Sequence, residues 1–167
     1  MAKVYLGIGG NLGRRDLFLS HTIKWINLLI GPVLKESSIY ETAAWGMDNA
    51  PDFLNQVIEV ETNHAALDVL KQCHHIERMM GRKRLPGKGY ASRTADLDIL
   101  HYEGCEMFSE QLVLPHPGIA KRKFVLIPFN EIAGGLTLPG RTASIHALLE
   151  RSEDTTEVRK WDSLTAI

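Results

Sequence analysis

The residues best suited to chemistry lie between Gly81 and Leu100, in the segment GRKRLPGKGYASRTADLDIL. It opens with a cationic run that contains no acidic residue: Arg82, Lys83, Arg84, Lys88 and Arg93. Two carboxylates, Asp96 and Asp98, follow in an apolar, strand-like stretch. On a strand, side chains at i and i+2 share a face, about 6.6 Å apart, and two such carboxylates can bind one or two Mg²⁺ ions. Arginines beside them suit triphosphate oxygens, so the segment indicates an enzyme that acts on a nucleotide polyphosphate.

Both halves of this segment have simpler interpretations. Asp96 and Asp98 could be polar residues on the exposed face of a half-buried strand. The cationic run could be a solvated loop or a nucleic-acid contact, although a nucleic-acid surface gains nothing from adjacent carboxylates. The interleaved glycines around Pro86 favour a mobile loop that closes over a substrate.

Composition excludes several classes of protein. The 167 residues carry a net charge of −1, and no apolar run approaches the roughly 18 residues of a membrane span. The N-terminus shows no secretion signal, and the two cysteines and seven histidines lack metal-ligand spacing. We therefore expect a cytoplasmic protein with one domain over residues 1–167, without a nucleic-acid or membrane partner.

The hydrophobic pattern predicts an α+β fold rather than regular βα units. Strands are predicted over residues 3–8, 33–42, 53–61 and 95–102, and helices over 16–29, from an N-cap at Asn63 to Gly81, and over 144–151. Residues 112–117 and 124–132 are predicted as turns and short elements, and the order of the tail 151–167 is left open. The glycines at 7 and 9 do not form a dinucleotide-binding motif, because the third position is Leu12, so residues 9–13 are predicted as a tight turn.

Three further residues have both a structural and a functional interpretation. His116 lies between Pro115 and Pro117, which preset its backbone and would suit a fixed ligand contact, although a lone histidine is usually structural. Phe53 and Asn55 could be a core residue and an edge residue of a strand. They could instead stack on a flat heterocycle and hydrogen-bond to its edge.

Six segments together resemble one family, the 6-hydroxymethyl-7,8-dihydropterin pyrophosphokinases of folate biosynthesis. They occur in the family's order between Val4 and Ala133: YLGIGGNLG, SSIYETAAWG, PDFLNQV, IERMMGRKR, SRTADLDIL and LPHPGIAKRKFVLIPFNEIA. The resemblance implies a ferredoxin-like, mostly antiparallel sheet with helices on both faces, acting as a monomer. It also implies transfer of the β,γ-pyrophosphoryl group of ATP to the pterin hydroxymethyl group, with release of AMP.

The resemblance assigns roles to individual residues. It implies two Mg²⁺ ions on Asp96 and Asp98, with Asp98 also a candidate base, and Arg82 and Arg93 as catalytic arginines. The pterin would be bound by Thr42, Ala43, Trp45, Phe53, Asn55 and Phe124. The implied ATP contacts are His74, Glu77, Arg84, Lys88, Tyr90, Ile99, His116 and Arg122.

The chain departs from the family pattern at several positions. Gly10 replaces a common serine, Ala43-Ala44 replaces a proline-containing pair, and Tyr90-Ala91-Ser92 stands where many members have Trp-Gly-Pro. His74 replaces a glutamine, and Pro117 replaces an aromatic residue of some members. None of these changes removes an implied metal ligand, catalytic arginine or stacking ring.

Two other functions compete with this one. A ferredoxin-like sheet could bind single-stranded RNA, but such a surface would be basic, and this chain is nearly neutral. A catalytically inactive nucleotide-binding relative is the second alternative. The intact set of Asp96, Asp98, Arg82 and Arg93 argues against it.

Overall fold

A computed structural model of the chain describes residues 1–11, 13–43, 52–81 and 95–162. Its helices are α1 (Arg15–Leu29), α2 (Ala66–Met79), α3 (Lys123–Ala133) and α4 (Ile145–Glu150). Its strands are β1 (Ala2–Gly10), β2 (Val33–Glu36), β3 (Tyr40–Thr42), β4 (Phe53–Thr62), β5 (Asp96–Tyr102), β6 (Met107–Phe108), β7 (Val113–Leu114) and β8 (Val158–Lys160). No helix within these ranges combines the length and the apolar character needed to cross a bilayer.

Six strands form the main sheet, in the order β5-β1-β4-β3-β8, with β2 also paired to β4. Every strand pair in this sheet is antiparallel. If β2 and β3 are taken as one interrupted strand, the chain runs β-α-β-β-α-β up to β5, which is the ferredoxin-like arrangement. The predicted α+β fold class is therefore confirmed. Strands β6 and β7 form a separate small hairpin.

Side chains that alternate along the central strands build one core on each face of the sheet. On the first face, Val4, Leu6 and Ile8 of β1 belong to an apolar cluster shared with α1 and α2. On the second face, Tyr5 lies in a cluster with residues of α3 and α4. Period-two alternation of apolar residues on both faces is typical of a central strand buried on both sides. The prediction of helices on both faces is confirmed.

The strand predicted over residues 33–42 is divided, and Ser37 is the physical reason. The Ser37 hydroxyl accepts a hydrogen bond from Val57 N at 3.0 Å, while Ser37 N donates to Val57 O at 2.9 Å. A side-chain oxygen thus replaces a backbone carbonyl in the ladder, and β2 ends at Glu36. Pairing with β4 resumes at Tyr40, where β3 begins.

One predicted helix boundary and one missing helix require correction. Asn63 does not cap α2, because that helix begins three residues later with Ala65 at its N-cap. Residues 123–133 form an eleven-residue helix where turns and short elements were expected. Pro128 lies inside this helix, where a proline usually breaks the backbone ladder, but burial of Leu126 and Phe129 against the sheet outweighs the missing backbone donor. The prediction for α4 is correct, with Ser144 Oγ accepting from Ala147 N.

Helix α3 is held against the sheet by Glu131. Its carboxylate accepts hydrogen bonds from Ser38 N at 3.0 Å, Ser38 Oγ at 2.8 Å and the Tyr40 hydroxyl at 2.7 Å. Burial alone would raise the pKa of Glu131, but the hydrogen bonds from Tyr40 and Ser38 outweigh it and hold the pKa below its usual value. Burial and the same carboxylate raise the pKa of Tyr40 to about 12. These bonds fix the C-terminal end of α3, and the N-terminal end of the same helix borders the candidate site.

Substitution of Gly31 by alanine is expected to destabilise the fold strongly. Gly31 follows α1 with φ +157°, and a Cβ there would overlap the carbonyl oxygen of Glu61. Because Glu61 is part of β4, the backbone itself would have to shift, and we expect the free energy of unfolding to fall by about 3 kcal/mol. Urea denaturation of both proteins measures this difference.

Gly135→Ala is the matched control, since a Cβ there has no atom within 4 Å. Its stability should stay close to that of the unsubstituted protein. Equal stability of the two variants would contradict the close approach at Gly31.

Candidate functional site

The sheet register sets Asp96 and Asp98 opposite two glycines. In the antiparallel pairing of β5 with β1, Asp96 faces Gly9 and Asp98 faces Gly7. Both carboxylates are half-buried, and they alternate with the buried Leu97. Since the partner residues have no side chains, the face of the sheet above the two carboxylates is left open. The predicted same-face placement of these carboxylates on a strand is confirmed.

A first cavity lies between this face of the sheet and the beginning of α3. We call it the sheet cavity; its volume is about 330 Å³. Its walls include most of the residues predicted to bind a flat ring, together with both carboxylates: Thr42, Ala43, Phe53, Asn55, Phe124, Arg122, Asp96 and Asp98. Two aromatic residues and an amide in one cavity suit a planar heterocycle with polar edges.

A second cavity lies between β5 and the β6–β7 hairpin. We call it the hairpin cavity; its volume is about 460 Å³. The residues predicted as nucleotide contacts that line it are His74, Ile99, His116 and Arg122. The hairpin contributes Ser109 to Val113 to the opposite wall. This cavity combines apolar side chains with polar and cationic groups.

The two cavities share Asp96, Asp98 and Arg122 as lining residues. The carboxylates therefore stand where the two spaces meet. A molecule in the sheet cavity and a molecule in the hairpin cavity would approach each other at this point, with a guanidinium beside the two carboxylates. Such a junction is suited to the transfer of an anionic group from one bound molecule to the other.

The amide of Asn55 is fixed in the floor of the sheet cavity. Its Nδ2 donates to Thr42 Oγ1 at 3.0 Å. On the neighbouring strand, a Cβ added at Gly9 would lie 2.8 Å from Asn55 Oδ1, closer than real Cβ contacts. The absence of a side chain at Gly9 therefore leaves room for the Asn55 amide, and the hydroxyl of Thr42 sets the orientation of that amide. The amide is held in one pose before any ligand arrives.

The ring of His116 is also held in one form. Gly118 N donates to His116 Nδ1 at 2.9 Å, so this nitrogen is an acceptor and the proton of the neutral ring lies on Nε2. Burial and the Arg122 guanidinium lower the pKa of His116, and nearby Asp96 opposes them only in part. Gly118 packs closely here, because a Cβ on it would lie 3.1 Å from His116 Cε1.

We expect His116 of the ligand-free protein to titrate below pH 6.5 and to carry its proton on Nε2. The Gly118 N–H already points at Nδ1, so a proton on this nitrogen would bring two hydrogen-bond donors face to face. Long-range ¹H–¹⁵N NMR spectra recorded across a pH series report both the tautomer and the pKa, and His116→Gln identifies the signal. A midpoint above 6.5, or a proton on Nδ1, would contradict this geometry.

Some predicted site residues are placed elsewhere or are not described. Glu77 lies on α2 one turn after His74, is 1 % exposed, and does not line either cavity of the described structure. Outside the described residues lie Trp45, Arg82, Arg84, Lys88, Tyr90 and Arg93.

Several lining residues were not predicted from the sequence. Gly7 was placed in the predicted strand and Gly9 in the predicted turn, and both were considered only for a dinucleotide-binding motif, whereas β1 extends to Gly10 and both lie within it. Their i, i+2 spacing in a strand was the signal that could have indicated an open strip on one face. Lys121, Asp154 and Thr156 also line the sheet cavity. The last two come from the tail whose order was left open, and no sequence motif pointed to them.

The donor set at the junction fits a hard divalent cation. Among the described residues, no three His, Cys, Asp or Glu side chains cluster as metal ligands, so Asp96 and Asp98 stand as a pair. Mg²⁺ is commonly bound by one or two carboxylates, while water and substrate phosphates supply its other ligands. The Cys73 thiol does not compete for this role, because burial raises its pKa and it belongs to the core cluster on the first face.

Fold and site together define a group-transfer enzyme built on a ferredoxin-like sheet, and comparison with known proteins supplies its family. A model of the family 7,8-dihydro-6-hydroxymethylpterin-pyrophosphokinase (HPPK) matches residues 5–134. The chain belongs to this family, and it is a pyrophosphokinase of folate synthesis.

Curated relatives agree over most of the chain. A 2-amino-4-hydroxy-6-hydroxymethyldihydropteridine pyrophosphokinase of Methylorubrum extorquens is 35 % identical over 143 residues, covering 85 % of this chain and 89 % of the relative. The protein of the same name from Bacillus subtilis is 37 % identical over 129 residues, covering 77 % of this chain and 76 % of the relative.

Solved structures support the fold. A crystal structure of Plasmodium falciparum HPPK-DHPS with pteroate superposes with a TM-score of 0.72 at 14 % identity. The match covers 89 % of this chain but only 42 % of that longer one. At this identity the likeness bears on the fold alone.

Proposed function

We propose that this enzyme transfers the β,γ-pyrophosphoryl group of ATP to the hydroxymethyl oxygen of 6-hydroxymethyl-7,8-dihydropterin and releases AMP. The observation that carries the proposal is the position of Asp96 and Asp98 where the two cavities meet. One cavity has the character of a heterocycle site and the other that of a nucleotide site. The reacting phosphate would then lie at the carboxylates.

The sheet cavity is assigned to the pterin. Phe53 and Phe124 supply aromatic faces for the ring, and the fixed amide of Asn55 supplies a hydrogen-bonding edge. Thr42 orients that amide and Ala43 completes the rim. The ring would be recognised by shape and by its polar edge, and its hydroxymethyl group would point towards the junction.

The hairpin cavity is assigned to ATP. His116 presents an Nε2–H donor, and Arg122 presents a guanidinium that lies at the junction and suits phosphate oxygens. Ile99 lies on the β5 side of this cavity, and His74 lies on its α2 side. The triphosphate would extend from this cavity to the two carboxylates.

Asp96 and Asp98 would hold Mg²⁺, which when bound offsets phosphate charge and favours in-line displacement. The chain's own groups position the reactants. The pterin oxygen forms a bond to the β-phosphorus. The bond from that phosphorus to the oxygen bridging the α- and β-phosphates breaks, and AMP leaves with that oxygen. Arg82 and Arg93 are assigned to the charge that develops on these oxygens, and Asp98 is a candidate acceptor of the hydroxyl proton.

The test is AMP release from ATP and Mg²⁺, measured with and without 6-hydroxymethyl-7,8-dihydropterin. AMP formed in equal amount to pterin diphosphate, and only when the pterin is present, is the expected result. Formation of ADP would mean transfer of a single phosphoryl group and would refute the proposed reaction. Binding of ATP without turnover would point instead to an inactive nucleotide-binding relative.

A further inference from the structure

The segment that follows α4 returns to the candidate site. Residues 152–160 lie outside the residues matched by the family model. They nevertheless run back to the beginning of α3 and end as β8 on the edge of the main sheet. Asp154 and Thr156 line the sheet cavity. The tail therefore takes part in the site, although the family motifs do not include it.

Asp154 holds the first turn of α3 from outside the helix. Its Oδ2 accepts from Lys123 N at 2.9 Å, and its Oδ1 accepts from Thr156 N at 2.9 Å. The helix has no cap of its own, because the side chain at its N-cap, Arg122, makes no capping hydrogen bond. A carboxylate at a helix N-terminus satisfies one of the free backbone donors and is favoured by the helix dipole.

Lys123, whose backbone N–H is bound by Asp154, lies between two residues that line the cavities. Phe124 follows Lys123 and lines the sheet cavity, while Arg122 precedes it and lines both cavities. Arg122 Cζ lies 5.8 Å from the centre of the Phe124 ring, so the two side chains also contact each other. A shift of the Lys123 backbone would move both of them.

The same segment also contacts the opposite wall of the sheet cavity. In the pairing of β8 with β3, Val158 lies opposite Thr42, the residue that orients Asn55. Arg159 contacts Glu41 at 3.4 Å and Asp52 at 3.2 Å, next to the ends of the strands that carry Thr42 and Phe53. Only four residues separate Asp154 from Arg159, so a short length of chain joins the two walls.

We propose that the segment 154–158 sets the width of the sheet cavity, and that Asp154 is a positioning residue for Phe124 and Arg122. The inference rests on the proposed function, since it takes the cavity to be the pterin site. Burial would raise the pKa of Asp154, but the hydrogen bonds from Thr156 and Lys123 hold it below its usual value. The carboxylate is therefore charged throughout the pH range of ordinary assays.

The test compares Asp154→Ala and Asp154→Asn with Glu153→Ala, a variant of the exposed neighbouring carboxylate. We expect Asp154→Ala to weaken binding of 6-hydroxymethyl-7,8-dihydropterin, measured by calorimetry, by about five- to tenfold. Affinity for ATP with Mg²⁺ should fall by a smaller factor, because Arg122 is only one of the groups assigned to the nucleotide, and kcat at saturating pterin should fall much less than KM rises. Asp154→Asn keeps the size and one acceptor oxygen, so its pterin affinity should lie between those of Asp154→Ala and the unsubstituted protein. The pterin affinity of Glu153→Ala should match that of the unsubstituted protein.

Equal pterin affinity in Asp154→Ala and Glu153→Ala would overturn the inference. So would an unchanged KM with a lower active fraction and a lower melting temperature, because that is the result of a merely structural role. If Asp154→Ala does not fold, Asp154→Asn decides, and wild-type pterin affinity in that variant would also overturn the inference.

The proposed function is tested separately, by pterin binding and AMP release in the unsubstituted protein. If these fail, the inference is still tested by amide hydrogen exchange. The Lys123 N–H should lose protection in Asp154→Ala but not in Glu153→Ala. Unchanged protection would overturn the positioning role without reference to any ligand.

Discussion

Asp98→Ala is expected to lose Mg²⁺-dependent ATP binding and to slow pyrophosphoryl transfer by roughly 10³-fold or more. Asp98 is one of only two carboxylates at the junction of the cavities, among the residues that the structure describes. Its partner strand contributes Gly7 at this point, so no neighbouring side chain of β1 can replace the lost oxygen ligands. Asp96 alone would leave the bound phosphates with a single carboxylate beside them.

Calorimetric titration of ATP with and without Mg²⁺ measures the first effect, and quenched-flow assay of AMP measures the second. Asp98→Asn preserves shape and removes the charge, so it should resemble Asp98→Ala if the charge matters. Asp68→Ala, on the exposed face of α2, is the control and should bind ATP normally. Unchanged Mg²⁺-dependent ATP affinity in Asp98→Ala would refute the metal site.

Arg82→Ala is expected to slow the chemical step far more than it weakens pterin binding. Arginines that meet charge developing on a transferring phosphoryl group contribute roughly 10³–10⁵ in rate. The assignment follows from the family resemblance, and in the sequence Arg82 comes directly after Gly81, which lies two residues beyond the end of α2 with φ +90°. Since the described residues of the sheet cavity already supply the ring and edge contacts assigned to the pterin, its ground-state affinity should change little.

Single-turnover kinetics with saturating ATP, Mg²⁺ and pterin isolates the chemical step. Lys83→Ala removes the next cation along the chain and is the matched control, because no catalytic role is assigned to it. We expect Lys83→Ala to react at nearly the rate of the unsubstituted protein. A single-turnover rate that Arg82→Ala leaves unchanged would show that its catalytic assignment is wrong.

Sequence patterns were sufficient for the central sheet. Alternation of apolar residues located β1, β4 and β5, and the i, i+2 spacing of Asp96 and Asp98 was enough to place both carboxylates on one face. The helices α1 and α2 were also predicted, because their apolar periodicity is sustained over several turns. In each case the pattern is local and repeats often enough to outweigh single exceptions.

Features that depend on tertiary contacts were not predictable in this way. The end of β2 depends on a hydrogen bond that the Ser37 hydroxyl accepts from Val57 N, 20 positions away. Helix α3 contains Pro128, and burial of the helix against the sheet compensates for the backbone donor that proline lacks. The contribution of Asp154 requires knowing that the tail returns to Lys123, 31 residues earlier in the chain. Long-range pairings of this kind leave no periodic signal in the sequence.

The pairing of β8 with β3 also bears on the order in which the molecule assembles and comes apart. It joins residues far apart in sequence, with Arg159 contacting Glu41 across 118 positions. Closing so long a loop costs entropy, and the three residues of β8 recover little of it through buried apolar area. This edge strand should therefore dock late in folding and be among the first elements to open in the native state. The sheet cavity would then lose part of its wall in excursions that leave the central sheet intact.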